Sequence, residues 1–438
     1  MQIDITIDRA DKQSGRNYLT WAPTRATLTR TDPGGRALSA VTVRLANSAD
    51  TGGQLVFGTN RQNMERTPTL DLKLDPGATV EFWVAGGTAS IDDLDAGLSV
   101  AEPDKPVLAS KSVMVRIRKD ANTLTPAEQV RFTTAFAQVN DEGNGLFQNF
   151  REMHRERSAL RQAHGFSGFL AWHRAYLLDL ERELQKKNPA VTLPYWRFDR
   201  PAPNVFTEQF MGRQGAARNV VFDPNNLLSN WQTDGEPGIW REPQFAADQP
   251  AFVSGEATTL ALGGPAPGAF FDNGGVTTQQ ADTLRGFRRM EGDPHGAAHS
   301  SFDGWLSATN TAPRDPMFFL LHSNVDRLWA RWQRLNDRFD GTQIRTYFFR
   351  GTARSNPATQ IGHNLLDTMW PWNGITQAQD PSRPPNAPRG AFVPVPAAAW
   401  PAQAAKPTVG DMIDYHGLLS PGSDMNFGYD DVPYGVAT

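Results

Sequence analysis

His164–Arg174 reads HGFSGFLAWHR, two histidines nine residues apart with glycine and aromatic residues between them. The chain has only eight histidines in 438 residues, so two in so apolar a segment need a reason. Taken alone the segment fits three readings: core packing, an acid/base pair, or part of a metal site. The run that begins at its tryptophan sets the fold. In WHRAYLLDLERELQKKN, Trp172, Tyr176, Leu180 and Leu184 recur every four residues, the spacing of one helix face. Asn188-Pro189 ends the run, because proline has no amide hydrogen and disfavours a helical residue before it.

Further along the chain, HSNVDRLWARWQRLND repeats that pattern, with Val325, Leu328, Trp329, Trp332 and Leu335 as the expected buried stripe. Upstream, Thr125, Pro126 and Glu128 in NTLTPAEQVRFTTAFAQV make a capping box with proline at the first helical position, so helix begins there. Before about residue 112 the character differs. Short β-favouring runs such as AVTVRLAN, TLDLKL and KSVMVRIR alternate with turn clusters such as DPGG. Roughly seven such strands predict a small β-sandwich. The run Asp92–Asp95 reads as a solvated loop rather than a calcium site. The expected organisation is a sandwich-like all-β domain over 1–112 and a mainly α domain with long irregular loops over 113–438. Pro201–Leu284 and the proline-rich PSRPPNAPRG and FVPVPAAAWP are those loops.

Composition narrows the function. A formal net charge of −4, with both signs mixed, gives no basic footprint, so no nucleic-acid partner is expected. There is no cysteine, which excludes thiolate metal sites and a cysteine nucleophile. Any metal must use nitrogen or oxygen ligands. The start, MQIDITIDRADKQSG, lacks the basic and apolar regions of a signal peptide, and no apolar run is long enough to span a membrane. A soluble, cytoplasmic protein is the expectation.

Six of the eight histidines fall into two groups of three: His154, His164 and His173, then His295, His299 and His322. HGAAH puts His295 and His299 four apart, so on a helix both imidazoles project from one face and can share one metal. His322 opens the tryptophan-rich helix and adds a third nitrogen. His154 in NFREMHRERSAL, His164 in the connection and His173 at a helix start repeat the arrangement. Three imidazoles leave a coordination position open, which marks a catalytic site, and they suit zinc, copper, iron or nickel. His363 and His416 lie in polar, irregular sequence and are read as non-ligands.

HGFSGFLAWHR and DPMFFLLHSNVDRLW resemble the copper A and copper B signatures of the tyrosinase and polyphenol oxidase family. LPYWRFD (Leu193–Asp199) resembles the segment after its first site, and GYDD (Gly428–Asp431) the tyrosine motif that closes its catalytic core. The resemblance covers about residues 113–435. It implies a four-helix bundle with two copper ions between helix pairs. His154, His164 and His173 would hold copper A, and His295, His299 and His322 copper B. It also implies small phenolic substrates and dioxygen, with catechols oxidised to ortho-quinones. Absence of cysteine rules out the thioether to the second copper A histidine of plant and fungal members, which points to a bacterial-type enzyme.

Beyond the ligands, Asp326, one helical turn after His322, is the candidate acceptor for that ring's second nitrogen. Phe169 and Phe318 or Phe319 are expected to pack around the metals. Family tyrosinases often carry asparagine after the first copper B histidine, where with a nearby glutamate it holds a water that accepts the phenol proton. Here that position is Gly296, while Glu291 stands four residues before His295 as plant-type members have it. Clear diphenol oxidation and weaker monophenol hydroxylation are therefore expected. Ser300 follows the second copper B histidine and Thr309 falls at the usual bulky gate, which suggests an open site. Two other classes compete: a haemocyanin-like oxygen carrier, and a dinuclear zinc hydrolase, which usually needs bridging carboxylates that neither triad contains.

Overall fold

Alternation decides the first part of the chain. In β1 (Gln2–Ile7) every second residue is buried, so Ile3, Ile5 and Ile7 form one inward row. After it come β2 (Tyr18–Leu19), β3 (Thr24–Thr31), β4 (Val41–Asn47), β5 (Gln54–Gly58), β6 (Thr69–Leu74), β7 (Thr79–Thr88), β8 (Ala96–Ala101) and β9 (Val107–Val115), with the alternation clearest again in β3. In this computed structural model they form a four-stranded sheet, β1-β3-β7-β5, and a five-stranded sheet, β2-β9-β8-β4-β6. Each pairing among these strands is antiparallel except β2 with β9. One apolar core joins the two sheets, with Leu28, Phe57, Phe82 and Val84 from the first and Val43, Leu45, Leu98 and Val115 from the second. Gly86 is fixed by close packing: a Cβ there would lie 2.4 Å from Val115 Cγ1. In the acidic loop the Asp95 carboxylate accepts from the Ile91 and Asp92 amides, closing the turn on itself.

The structure describes residues 1–11, 14–34, 39–155, 163–165, 167–252, 255–272, 286–347, 365, 369–372 and 408–437. His363 and the two proline-rich stretches lie outside the described residues. The chain divides into two compact units, and the dividing line differs from a single cut at 112. The first unit takes Met1–Ile117 and also His416–Tyr434. The returning segment is tied in by Trp21 Nε1 donating to Tyr429 O at 2.7 Å, Arg61 donating to Gly417 O, and an Arg9–Asp424 ion pair. The GYDD segment that resembles the end of the catalytic core thus packs with the β unit. His416 is buried there beside Gly428 and the Tyr434 ring.

The second unit comprises the described residues of Arg118–Val393, Trp400–Tyr415 and Gly435–Thr438. Its helices are α1 (Pro126–Asn140), α2 (Phe147–Arg155), α3 (Phe169–Lys187), α4 (Glu256–Leu260), α5 (Ala297–Ser300) and α6 (Met317–Asn336). The capping box opens α1 as expected, with the Thr125 and Glu128 side chains each bonded to the other's backbone amide. α3 packs against α1 and α6. Phe136, Phe147, Trp231 and Phe319 interlock with ring centroids 5.1–5.7 Å apart. Val325, Leu328, Trp329 and Trp332 are buried along α6, but Leu335 is exposed, one residue from the helix end. The expected four-helix bundle is not clearly drawn among the described residues. α2 is short, and two histidines of the second triad stand on the irregular turn Gly292–Gly296 and the one-turn helix α5 rather than on a long helix. No described helix is long and apolar enough to cross a membrane.

Arg241–Pro243 pairs antiparallel with Phe302–Gly304, which anchors the segment just after His299. α6 begins where the Asp315 carboxylate accepts from the Met317 amide at 2.9 Å, a favourable place for negative charge.

Asp179 in α3 is fully buried, with Trp372 Nε1 donating to it at 2.8 Å. Burial pushes its carboxyl up to about 7 from 3.8. The protonated form is favoured by folding, so this contribution is complete below pH 3.8 and is lost as pH rises through about 7. At about 1.4 kcal/mol per unit, a shift from 3.8 to about 7 amounts to about 4 kcal/mol. Asp179→Asn is expected to unfold at a higher temperature than the parent above pH 7 and to match it near pH 4. Parallel melting curves at both pH values would contradict this.

Candidate metal centre

Each triad draws on separate local structures. His154 lies near the end of α2, His164 in a bend ahead of α3, and His173 in the second turn of α3 rather than at its start. His295 sits in the irregular turn Gly292–Gly296, His299 in α5, and His322 six residues into α6 rather than at its opening. Within each triad one ring nitrogen per histidine falls within 4.8 Å of the others. His154, His164 and His173 have ring centroids 5.0–5.6 Å apart. His295, His299 and His322 are tighter, at 4.7–5.3 Å. The two triads meet where His173 stacks on His322, centroids 4.3 Å apart and planes 13° from parallel. Phe169 wedges 4.7 Å from both His173 and His295, and Phe318 lies 4.2 Å from His322 and 5.0 Å from His154. Phe319 belongs instead to the aromatic layer behind them.

The donor set fits metal ions. His173 Nδ1 lies 2.9 Å from Phe169 O, His295 Nδ1 2.7 Å from Glu291 O, and His299 Nδ1 2.7 Å from Leu306 O. A carbonyl only accepts, so each Nδ1 carries the hydrogen and each Nε2 presents a bare lone pair. His295 Nε2 and His299 Nε2 converge on His322 Nε2 at 3.3 and 3.2 Å. Separations of that size would let the three nitrogens share one ion at about 2.0–2.1 Å. His173 Nε2 is buried and has no hydrogen-bond partner. Burial, then the neighbouring imidazoles, hold His154, His173 and His322 well below the usual histidine value. Burial likewise depresses His295 and brings His299 to about 4. These rings stay neutral, the form that binds metal. Among the described residues neither triad includes a carboxylate.

The triads open onto a cavity of about 580 Å³ whose walls include His154, His164, Glu291, Gly296, Ser300 and Thr309. Gly296, Ser300 and Thr309 thus line one cavity. Glu291 Oε1 accepts from the Gly165 amide at 2.5 Å, while its Oε2 is buried without a partner. Burial pushes this carboxyl up to about 7. A Cβ on Gly296 would meet only Glu291 O, at 3.7 Å, in ordinary helical backbone.

Asp326 needs correction. Its carboxylate takes Arg174 Nε at 2.6 Å and Arg118 Nη1 at 3.4 Å, whereas His322 Nδ1 has no hydrogen-bond partner. Two cationic guanidiniums hold the carboxylate against a helix neighbour that offers one neutral N–H. The groups that do orient the ligand rings are the carbonyls of Phe169, Glu291 and Leu306, which a reading of side chains alone misses. The first two stand four residues before His173 and His295, so a rule that looked one turn back along the main chain would have found them.

The family model described as "common central domain of tyrosinase" matches residues 144–335. The chain is 31% identical over 285 residues to a tyrosinase of Streptomyces lincolnensis, covering 60% of this chain and 94% of that one. It is 28% identical over 262 residues to grixazone synthase of Streptomyces griseus subsp. griseus, covering 50% and 85%. It is 27% identical over 260 residues to hemocyanin 2 of Megathura crenulata, covering 55% of this chain and 7% of that one.

Proposed function

This chain belongs to the tyrosinase family, and we propose that it uses dioxygen to oxidise catechols to ortho-quinones, with slower ortho-hydroxylation of monophenols. The family is one of copper oxidoreductases with a dicopper site. The observation that carries the reading is the face-to-face pair of three-nitrogen sets, joined at the His173–His322 stack. His154, His164 and His173 would hold one copper, and His295, His299 and His322 the other. When bound, the copper pair supplies the electron transfer between phenol and dioxygen, and the protein supplies orientation and access. The helices α1, α2, α3 and α6 are read as this family's bundle.

The chain's own residues divide the remaining work. Phe169 and Phe318 cover the rings and keep the ligand nitrogens dry. Glu291, with its unpartnered Oε2 in the cavity wall, accepts a proton from the phenol hydroxyl, directly or through one water. Gly296 has no side chain to hold that water, which favours catechols over monophenols. Small groups at Gly296, Ser300 and Thr309 leave room for phenols with bulky substituents. Copper-loaded protein is expected to bind two coppers per chain and turn over catechol steadily, whereas an oxygen carrier would not turn over. Monophenols should show a lag, and Gly296→Asn should raise their rate by at least about tenfold, short of the hundredfold or more of a complete general base. Rapid tyrosine hydroxylation without a lag by the unaltered protein would contradict the preference for catechols.

A further inference from the structure

We propose that four buried charges, Arg118, Arg174, Glu181 and Asp326, are positioning residues that fix the register of α3 against α6 and so the spacing of the two metal sites. The inference rests on the dicopper reading. α3 carries His173, Arg174 and Glu181, and α6 carries His322 and Asp326. The stacked ligand rings form one point of contact between these helices. One turn further along α6, Asp326 takes Arg174 Nε at 2.6 Å. Arg118 closes the set, reaching Glu181 through Nε and Nη2 at 2.7–3.2 Å and Asp326 through Nη1 at 3.4 Å. Arg174 also donates to Gln333 Oε1 at 3.0 Å and Met412 O at 2.7 Å, with its guanidinium 3.8 Å from the Trp329 ring.

All four side chains are at most 2% exposed, and their formal charges cancel. Such a set is a poor source of stability. Desolvation offsets most of the attraction, and hydrophobic residues of similar volume often do as well or better, so the best-attested use of buried ion pairs is registry. Directional forks supply what an apolar seam lacks. Apolar helix faces tolerate sliding, and the helical rise is about 1.5 Å per residue. A slide of that size would pull both oxygens of Asp326 off their partners and strand charge in the core. Since His173 sits beside Arg174 and His322 one turn from Asp326, the separation of the two triads inherits this register.

The test uses the whole chain loaded with Cu(II) and read by metal analysis, circular dichroism and electron paramagnetic resonance. Two bridged Cu(II) ions couple their unpaired spins and give little signal, whereas ions moved apart become visible. Unaltered protein should bind two coppers with little visible signal; any other result removes the dicopper reading, and the clamp with it. The charge-neutral double variant Arg174→Met/Asp326→Leu should fold and still bind two coppers, with a several-fold rise in visible copper. Catechol turnover should fall by about a hundredfold, the usual penalty for roughly 1 Å of misplacement. A folded double variant with two coppers and the silent spectrum of the unaltered protein would overturn the proposal. Should the double variant fail to fold, Asp326→Asn decides by the same spectrum: visible copper supports the clamp and silence rejects it.

Discussion

Replacing His173 by alanine is expected to leave a chain that binds one copper instead of two and oxidises catechol at least about a hundredfold more slowly. Loss even of a group that merely orients a ligand commonly costs about 10–100-fold, and loss of the ligand removes the donor itself. His173 matters doubly. Its Nε2 is the buried lone pair left over once Nδ1 is committed to Phe169 O, and its ring is the surface on which His322 stacks. Alanine therefore takes one of three nitrogens from the first site and removes the ring that faces the second. Metal analysis and steady-state oxygen consumption check the result, with a melting curve of the metal-free protein to show that it folds. A folded variant that kept two coppers and full turnover would exclude His173 as a ligand.

Asp315→Ala is expected to destabilise the helical unit by about 3–5 kcal/mol, the usual cost of removing one partner from a buried ion pair. Asp315 and Arg241 are at most 1% exposed and meet through two parallel bonds of 2.7 and 2.6 Å. Arg241 also donates to Met211 O, so its remaining contact cannot neutralise a stranded guanidinium. The same carboxylate accepts the Met317 amide at the start of α6, and that helix delivers His322. Copper affinity should weaken along with the fold. Asp315→Asn, which keeps an acceptor of the same shape, should cost clearly less. Denaturant unfolding of metal-free protein, followed by tryptophan fluorescence, measures both. A loss below about 1 kcal/mol for the alanine variant would place the pair among those that contribute little.

The two histidine triads were legible in the sequence for a definite reason. Histidine is scarce here, six of eight fall in two clusters, and the flanking Phe-Leu-Leu-His and Asn-Val-Asp-Arg-Leu-Trp runs impose helical spacing. The helices over α1, α3 and α6 arise from caps and periodicity that act locally. What escaped depends on the main chain or on distant partners. Phe169, Glu291 and Leu306 orient the ligands through carbonyls, which every residue possesses, so residue type says nothing about them. Asp326 has the spacing of a histidine partner, but its choice was made by Arg118, 208 residues away, and by Arg174 on another helix. The nine strands described in the β unit exceed the seven read from alternation because short pieces such as Tyr18–Leu19 are too brief to show a period.

The return of His416–Tyr434 to the β unit has a consequence for biosynthesis. Trp21 and Arg9 are translated early, yet the carbonyl of Tyr429 and the carboxylate of Asp424 that they bind emerge only after Arg118–Tyr415 has been made. At about 5–20 residues per second, the first β strands wait on the order of 20–80 seconds for their last partners. During that interval the unit is an unfinished object on the ribosome with part of its apolar surface uncovered, and a truncation near the carboxyl end strikes the first domain made.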